Sequence, residues 1–169
     1  DEISSLDFRE TAPSAATSDM YLDERGEPIR EASWIGPLAA GVPGSPAGLH
    51  ALHQRHGQLP WKAVVAPSIA LARDGFVVTK RLHDSLTRAR PLLERFPETV
   101  AVWFPNGQAP AAGSIMRLPE LAASLTAYAE HGPETLTSGP VAEAIVRVSS
   151  LHGGIISAED LAGYRPVWR

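Results

Sequence analysis

A chain of 169 residues, 44% of them hydrophobic, is long enough to bury one ordinary globular core. Its formal net charge of -4 leaves no electrostatic footprint for nucleic acid, no basic run points to a membrane surface, and no apolar stretch reaches membrane-spanning length. With no cysteine, disulfides, thiolate metal sites and a cysteine nucleophile are excluded.

The chain opens at Asp1 without an initiator methionine or a signal-like region, and strand-like Ile3 follows almost at once. It closes in Pro166-Val167-Trp168-Arg169, which reads as the start of a further strand over 166–169. Both ends look cut through a larger fold, so a single fragment is expected. Residues 1–11 read as a strand carrying a polar motif. Leu6 and Phe8 fall on one side of an extended segment, Asp7 and Arg9 on the other. If Leu6 and Phe8 enter a core, Arg9 is presented on the opposite face, just before Pro13 ends the ladder. A guanidinium held there can fork a carboxylate with two parallel hydrogen bonds. By composition alone, the same residue reads as a surface or capping arginine.

Residues 12–44 read as a loop region, with room for a short helix from Pro13 and an exposed charged stretch broken at Gly26 and Pro28. Gly41-Val42-Pro43-Gly44-Ser45-Pro46 fixes a specific backbone path. Residues 45–165 read as helical. Ser45 is the expected N-cap of a helix to about His56, with Gly57 as a left-handed stop. A second helix is predicted over 61–73, kinked or split by Pro67 near Ala66 and ended at Gly75. Phe76, Val77 and Val78 form an extended link, and Thr79 caps a helix from Lys80 to about Arg90. Residues 101–104 are predicted to pair with 114–117 as a hairpin across Asn106-Gly107. Pro119 opens a helix ending at Gly132, and Ser138-Gly139-Pro140 opens another that stops at Gly153-Gly154. Ser157 caps a short third, with Asp160 in a capping-box position. The chain is therefore expected to be mainly α with a few short strands.

Candidate chemistry is sparse. His50, His53 and His56 spread over an arc of about 120° on one predicted helix, so two neighbours could share a metal. No carboxylate lies among them, and histidines at a helix C-terminus, favoured by the dipole, account for them better. Ser150, His152 and Asp84 or Asp160 supply the residue types of a hydrolase triad without a Gly-x-Ser-x-Gly elbow. Gly41-x-x-Gly44 and Gly153-Gly154 do not form a phosphate loop. Trp34, Trp61 and Trp103 read as core or interface packing. No complete catalytic set is present.

Taken together, several motifs resemble the large subunit of γ-glutamyltransferase (γ-glutamyltranspeptidase, glutathione hydrolase), an N-terminal-nucleophile family. They are Asp7-Phe8-Arg9-Glu10-Thr11-Ala12-Pro13, Asp19-Met20-Tyr21-Leu22-Asp23, Gly41-Val42-Pro43-Gly44 and His53-Gln54-Arg55-His56-Gly57 with Leu59-Pro60-Trp61. Further along come Pro67-Ser68-Ile69, Leu71-Ala72-Arg73-Asp74-Gly75-Phe76, the run from Gly153-Gly154 to Asp160-Leu161, and Tyr164-Arg165. The resemblance implies a piece of a four-layer αββα sandwich. It also implies an enzyme that cleaves γ-glutamyl amide bonds of glutathione and related compounds, passing the γ-glutamyl group to water or an amine. The nucleophile would be a threonine freed by autoproteolysis at the start of a small subunit, activated by its own α-amine. That threonine is not in these residues, so no catalytic residue is expected here and the fragment alone should be inactive. On the same resemblance, Arg9 would bind the glutamate α-carboxylate, with Glu10 in support. The implied partner is the small catalytic subunit from the same precursor, with no cofactor or metal, and the implied location is periplasmic or secreted. Two alternatives stay open: a cephalosporin (glutaryl) acylase of the same superfamily, or a non-catalytic helical binding or assembly module.

Overall fold

A computed structural model describes residues 3–169; the first two positions of the expected 1–11 strand lie outside the described residues. The elements run, in order, β1 (Leu6–Asp7), a 3-10 turn (Pro37–Ala39), α1 (Ser45–His56), α2 (Trp61–Asp74), β2 (Phe76–Val77), α3 (Lys80–Leu93), α4 (Pro97–Trp103), β3 (Ile115–Met116), α5 (Pro119–His131), α6 (Glu134–Thr137), α7 (Pro140–Leu151), α8 (Ala158–Gly163) and β4 (Val167–Trp168). The protein is mainly α with a few short strands, as its punctuation predicts. No helix among the described residues is long and apolar enough to cross a membrane. Two compact units divide the chain: one runs to Val64 and resumes over Ala127–Arg169, the other is Val65–Thr126.

In the first unit, the two extended stretches predicted near the ends of the chain pair with each other. β1 and β4 are antiparallel, with Leu6 opposite Trp168 and Asp7 opposite Val167. The ladder continues through the Ser5 amide to the Arg169 carbonyl at 3.0 Å and the Arg169 amide to the Ser5 carbonyl at 2.8 Å. After Pro13, where the sequence leaves room for a short helix in the loop region, none forms. Separate turns stand there instead, closed by Ala16 N to Pro13 O at 2.9 Å and Leu22 N to Asp19 O at 2.8 Å. Ser14, Thr17, Ser18 and Asp19 favour such turns because their short polar side chains compete for the backbone.

Helix α1 begins one residue earlier than expected. Gly44, not Ser45, holds the N-cap position, and Pro46 sits in the first turn, where its missing N–H costs nothing. Gly57 is not a left-handed stop: its φ is -70° and the chain leaves α1 extended. Glycine is required there by closeness, since a Cβ would sit 2.4 Å from the His53 ring. At α8 the predicted capping box forms, Ser157 Oγ accepting from Asp160 N and the Asp160 carboxylate accepting from Ser157 N, both at 3.0 Å. The core gathers Val42, Ala142, Ile156, Leu161 and Tyr164, with Ala47, Ile145 and Val146 packed against it.

In the second unit, Thr79 caps α3 as expected, its Oγ1 accepting from Leu82 N at 3.1 Å. Pro67 does not split α2, which runs through it to Asp74. The predicted hairpin is wrong. Residues 100–103 belong to α4, opened by Pro97 in its first turn with Glu98 beside it to favour the positive end of the dipole. β3 pairs instead with β2, Phe76 opposite Met116 and Val77 opposite Ile115. A short apolar run such as Val100 to Phe104 does not tell strand from helix by period alone, and the helix-opening proline was the stronger signal.

Candidate functional site

The 6–14 segment is shaped by what its alternation buries. Leu6 and Phe8 are half-buried while Asp7 and Arg9 are exposed. Phe8 lies on α1, where a Cβ added to Gly48 would stand 2.1 Å from Phe8 Cγ. One turn earlier, a Cβ on Gly44 would stand 2.3 Å from the Phe8 carbonyl oxygen and 2.1 Å from the Tyr164 hydroxyl. Glycines at these two positions open a groove on α1 into which the backbone settles. Beyond it, the Tyr164 hydroxyl donates to the Arg9 carbonyl at 2.9 Å. Thr11 bridges Val42, with Val42 N to Thr11 O at 2.9 Å, and Ser14 N donates to Asp160 Oδ1 at 2.8 Å. The motif is thus held at Phe8, Arg9, Thr11 and Ser14.

On that fixed backbone the Arg9 side chain is 82% exposed. Its Nε donates to Glu10 Oε1 at 3.3 Å, and its amide donates to Asp7 Oδ1 at 3.2 Å. Among the described residues, no hydrogen bond engages the Nη1/Nη2 edge. A guanidinium has two forks; Glu10 takes the Nε side and leaves the end-on fork open to a carboxylate. Asp7 is itself occupied, its Oδ2 accepting from Arg169 Nη2 at 2.9 Å. That bond, with the Arg9 amide second, holds the Asp7 carboxyl below its ordinary range. Glu10 is held low by its own backbone amide and then by Arg9. Burial, with the nearby charges of Asp7 and Glu10, raises the Tyr164 hydroxyl, which keeps it a protonated donor.

Asp160 is lowered to about 2, chiefly by the amides of Ser14 and Ser157. A carboxyl whose pKa falls on folding contributes stability that is whole above its unfolded value, near 4, and is lost as pH falls through the folded one. Protection of the Ser14 amide against hydrogen exchange, relative to its intrinsic rate, should therefore drop between about pH 4 and pH 2. Asp160→Asn should flatten that drop. An unchanged pH profile in the variant would remove Asp160 as its source.

The other candidate residues lie elsewhere. His50 and His53 pack on Trp61 with ring centroids 5.1 and 4.9 Å apart, and His56 meets Trp168 edge-on at 5.8 Å. His53 Nε2 lies 2.8 Å from the Leu59 carbonyl, so His53 is engaged locally at the end of α1. No group of three His, Asp or Glu among the described residues is placed to hold a metal. Trp61 packs as expected and donates to the Tyr128 carbonyl at 3.1 Å, whereas Trp34 is 63% exposed and not a core residue. The triad residue types do not converge: Asp84 binds Lys80 at 2.7 Å, Asp160 serves the capping box, and Ser150 and His152 are exposed. Tyr164, Gly44 and Gly48 are the site residues that sequence reasoning missed as such. The only available signal was the glycine pair four residues apart on one helix face.

A family model described as gamma-glutamyltranspeptidase matches residues 1–169. The chain is 39% identical over 165 residues to the glutathione hydrolase proenzyme of Escherichia coli (strain K12), an alignment covering 97% of this chain and 28% of that protein. It superposes on the crystal structure of Helicobacter pylori gamma-glutamyltranspeptidase with a TM-score of 0.94 at 35% identity, covering 97% of this chain and 47% of that one. The cephalosporin acylase of Bacillus halodurans gives a TM-score of 0.83 at 27% identity, covering 96% of this chain and 31% of the acylase. The chain thus spans little more than a quarter of the length of its E. coli relative. With the family model matching end to end, this chain belongs to the gamma-glutamyltranspeptidase family.

Proposed function

We propose that this chain is part of the large subunit of an enzyme that cleaves γ-glutamyl amide bonds, in glutathione and related compounds, and passes the γ-glutamyl group to water or to an amino acid or peptide amine. The observation that carries the reading is the open Nη1/Nη2 fork of Arg9 on a backbone held at four points. Arg9 takes the donor's α-carboxylate through two parallel bonds, and Glu10 fixes the guanidinium plane from the Nε side. The bond-making group is a threonine on the small subunit of the same precursor. Its hydroxyl attacks the γ-carbonyl, its α-amine takes the proton, and the leaving amine departs protonated. A periplasmic or secreted location goes with this reading, on the family resemblance alone.

The structural likeness to a cephalosporin acylase supports a second reading, because a glutaryl group keeps the carboxylate that Arg9 would fork and lacks only the α-amine. The test measures release of a chromogenic aniline from γ-glutamyl and glutaryl anilides by the whole matured protein. Preference for γ-glutamyl is expected. Preference for glutaryl would move the protein to the acylases, with the role of Arg9 intact. No turnover of either would leave a non-catalytic helical scaffold.

A further inference from the structure

We propose that α8 is a clamp that positions the donor-binding arginine, with Tyr164 and Asp160 as its two positioning residues. The inference rests on the reading of Arg9 given above and concerns residues remote from it in sequence. Asp160 lies in the first turn of α8, and Tyr164, four positions on, is its C-cap residue. Asp160 reaches the Ser14 amide at 2.8 Å, and Tyr164 reaches the Arg9 carbonyl at 2.9 Å. They therefore hold both ends of the 9–14 segment against one body.

That body is itself fixed. Its N-terminus is closed by the Ser157–Asp160 capping box, and Leu161 between the clamp residues is 1% exposed in the core. Its C-terminus is closed by Arg165, whose Nη1 folds back onto the carbonyls of Ala162 and Tyr164 at 2.7 and 2.6 Å. The Tyr164 ring cannot swing outward without leaving this packing. Both bonds go to the backbone of the segment and not to Arg9's guanidinium. They act by placing the Arg9 Cα, and through it the fork. Displacing a positioned group by about 1 Å is enough to cost orders of magnitude in a reaction that depends on alignment.

The test uses the whole matured enzyme and two donors, a γ-glutamyl anilide and its analogue lacking the α-carboxylate. Tyr164→Phe keeps the ring and removes the one hydrogen bond to Arg9. A net loss of about three- to tenfold in kcat/KM, carried mainly by KM, is expected for the carboxylate-bearing donor. The analogue should be unaffected, and in an Arg9→Ala background Tyr164→Phe should add nothing. Asp160→Asn should behave alike and more mildly. Should it fail to mature, Tyr164→Phe carries the test alone. Equal losses for both donors, or a full loss that persists in the Arg9→Ala background, would make the clamp merely structural and overturn the proposal. Absence of any Tyr164→Phe effect, where Arg9→Ala discriminates the donors, would overturn the clamp alone. An Arg9→Ala variant that treats both donors as the native enzyme does would instead overturn the reading of Arg9 itself.

Discussion

On the proposed role of Arg9, replacing it with alanine in the whole matured protein is expected to lower kcat/KM for a γ-glutamyl donor by about 2–5 kcal/mol, provided the complete enzyme encloses the donor carboxylate that loses its partner. The size of the loss depends on that enclosure. In this chain the Arg9 side chain is 82% exposed, and a fork made there in open water is worth no more than about 1 kcal/mol. The larger figure therefore requires the rest of the enzyme to cover the pair. Arg9→Lys should recover little, since an ammonium cannot reproduce two parallel bonds while also meeting Glu10. Steady-state kinetics with both variants decide the matter. Native kcat/KM in Arg9→Ala would return Arg9 to the ordinary surface arginine that its composition describes.

Gly44→Ala should be the most damaging substitution outside the motif itself. Its backbone is ordinary, with φ at -104°, so no handedness is at stake. The difficulty is space. The new Cβ meets the Phe8 carbonyl oxygen at 2.3 Å, a backbone atom that cannot move without the strand, and the Tyr164 hydroxyl at 2.1 Å. Either the strand lifts from α1 or Tyr164 releases Arg9. A cost of about 3 kcal/mol is expected, at the upper end for overpacking. Hydrogen exchange should show lost protection at the Thr11 and Val42 amides, which close the adjoining bridge. Gly26→Ala is the contrasting control. Its φ is +81° and nothing lies within 4 Å of the added Cβ, so only the left-handed strain remains, about 1 kcal/mol. Comparable losses at both positions would contradict the steric account of Gly44.

Much of the helical framework was legible because its signals are local. Thr79 over Leu82 and Ser157 over Asp160 join residues three apart, and a cap of that reach is visible in any short window. The alternation of Leu6, Asp7, Phe8 and Arg9 likewise told which side chain faces outward, since strand period is a property of the backbone. The failures share a cause. The run at 100–104 was ambiguous by period, and its outcome depended on Ile115 and Met116 finding Phe76 and Val77 instead. Gly57 reads locally as a left-handed stop, but closeness to the ring of His53 is the reason for glycine there.

The exposed face of Arg9, beside Glu10, was therefore legible in the alternation of side chains, although only the family resemblance raised it above an ordinary surface arginine. Its placement was not legible. The hydrogen bond that holds its carbonyl comes from Tyr164, 155 residues away, and exists because β1 and β4 close the first unit on itself. Contacts between residues so distant leave no periodic trace in either segment. They arise when buried apolar faces, here Phe8 on α1 and Leu161 in the core, bring the two stretches together and let their polar groups pair.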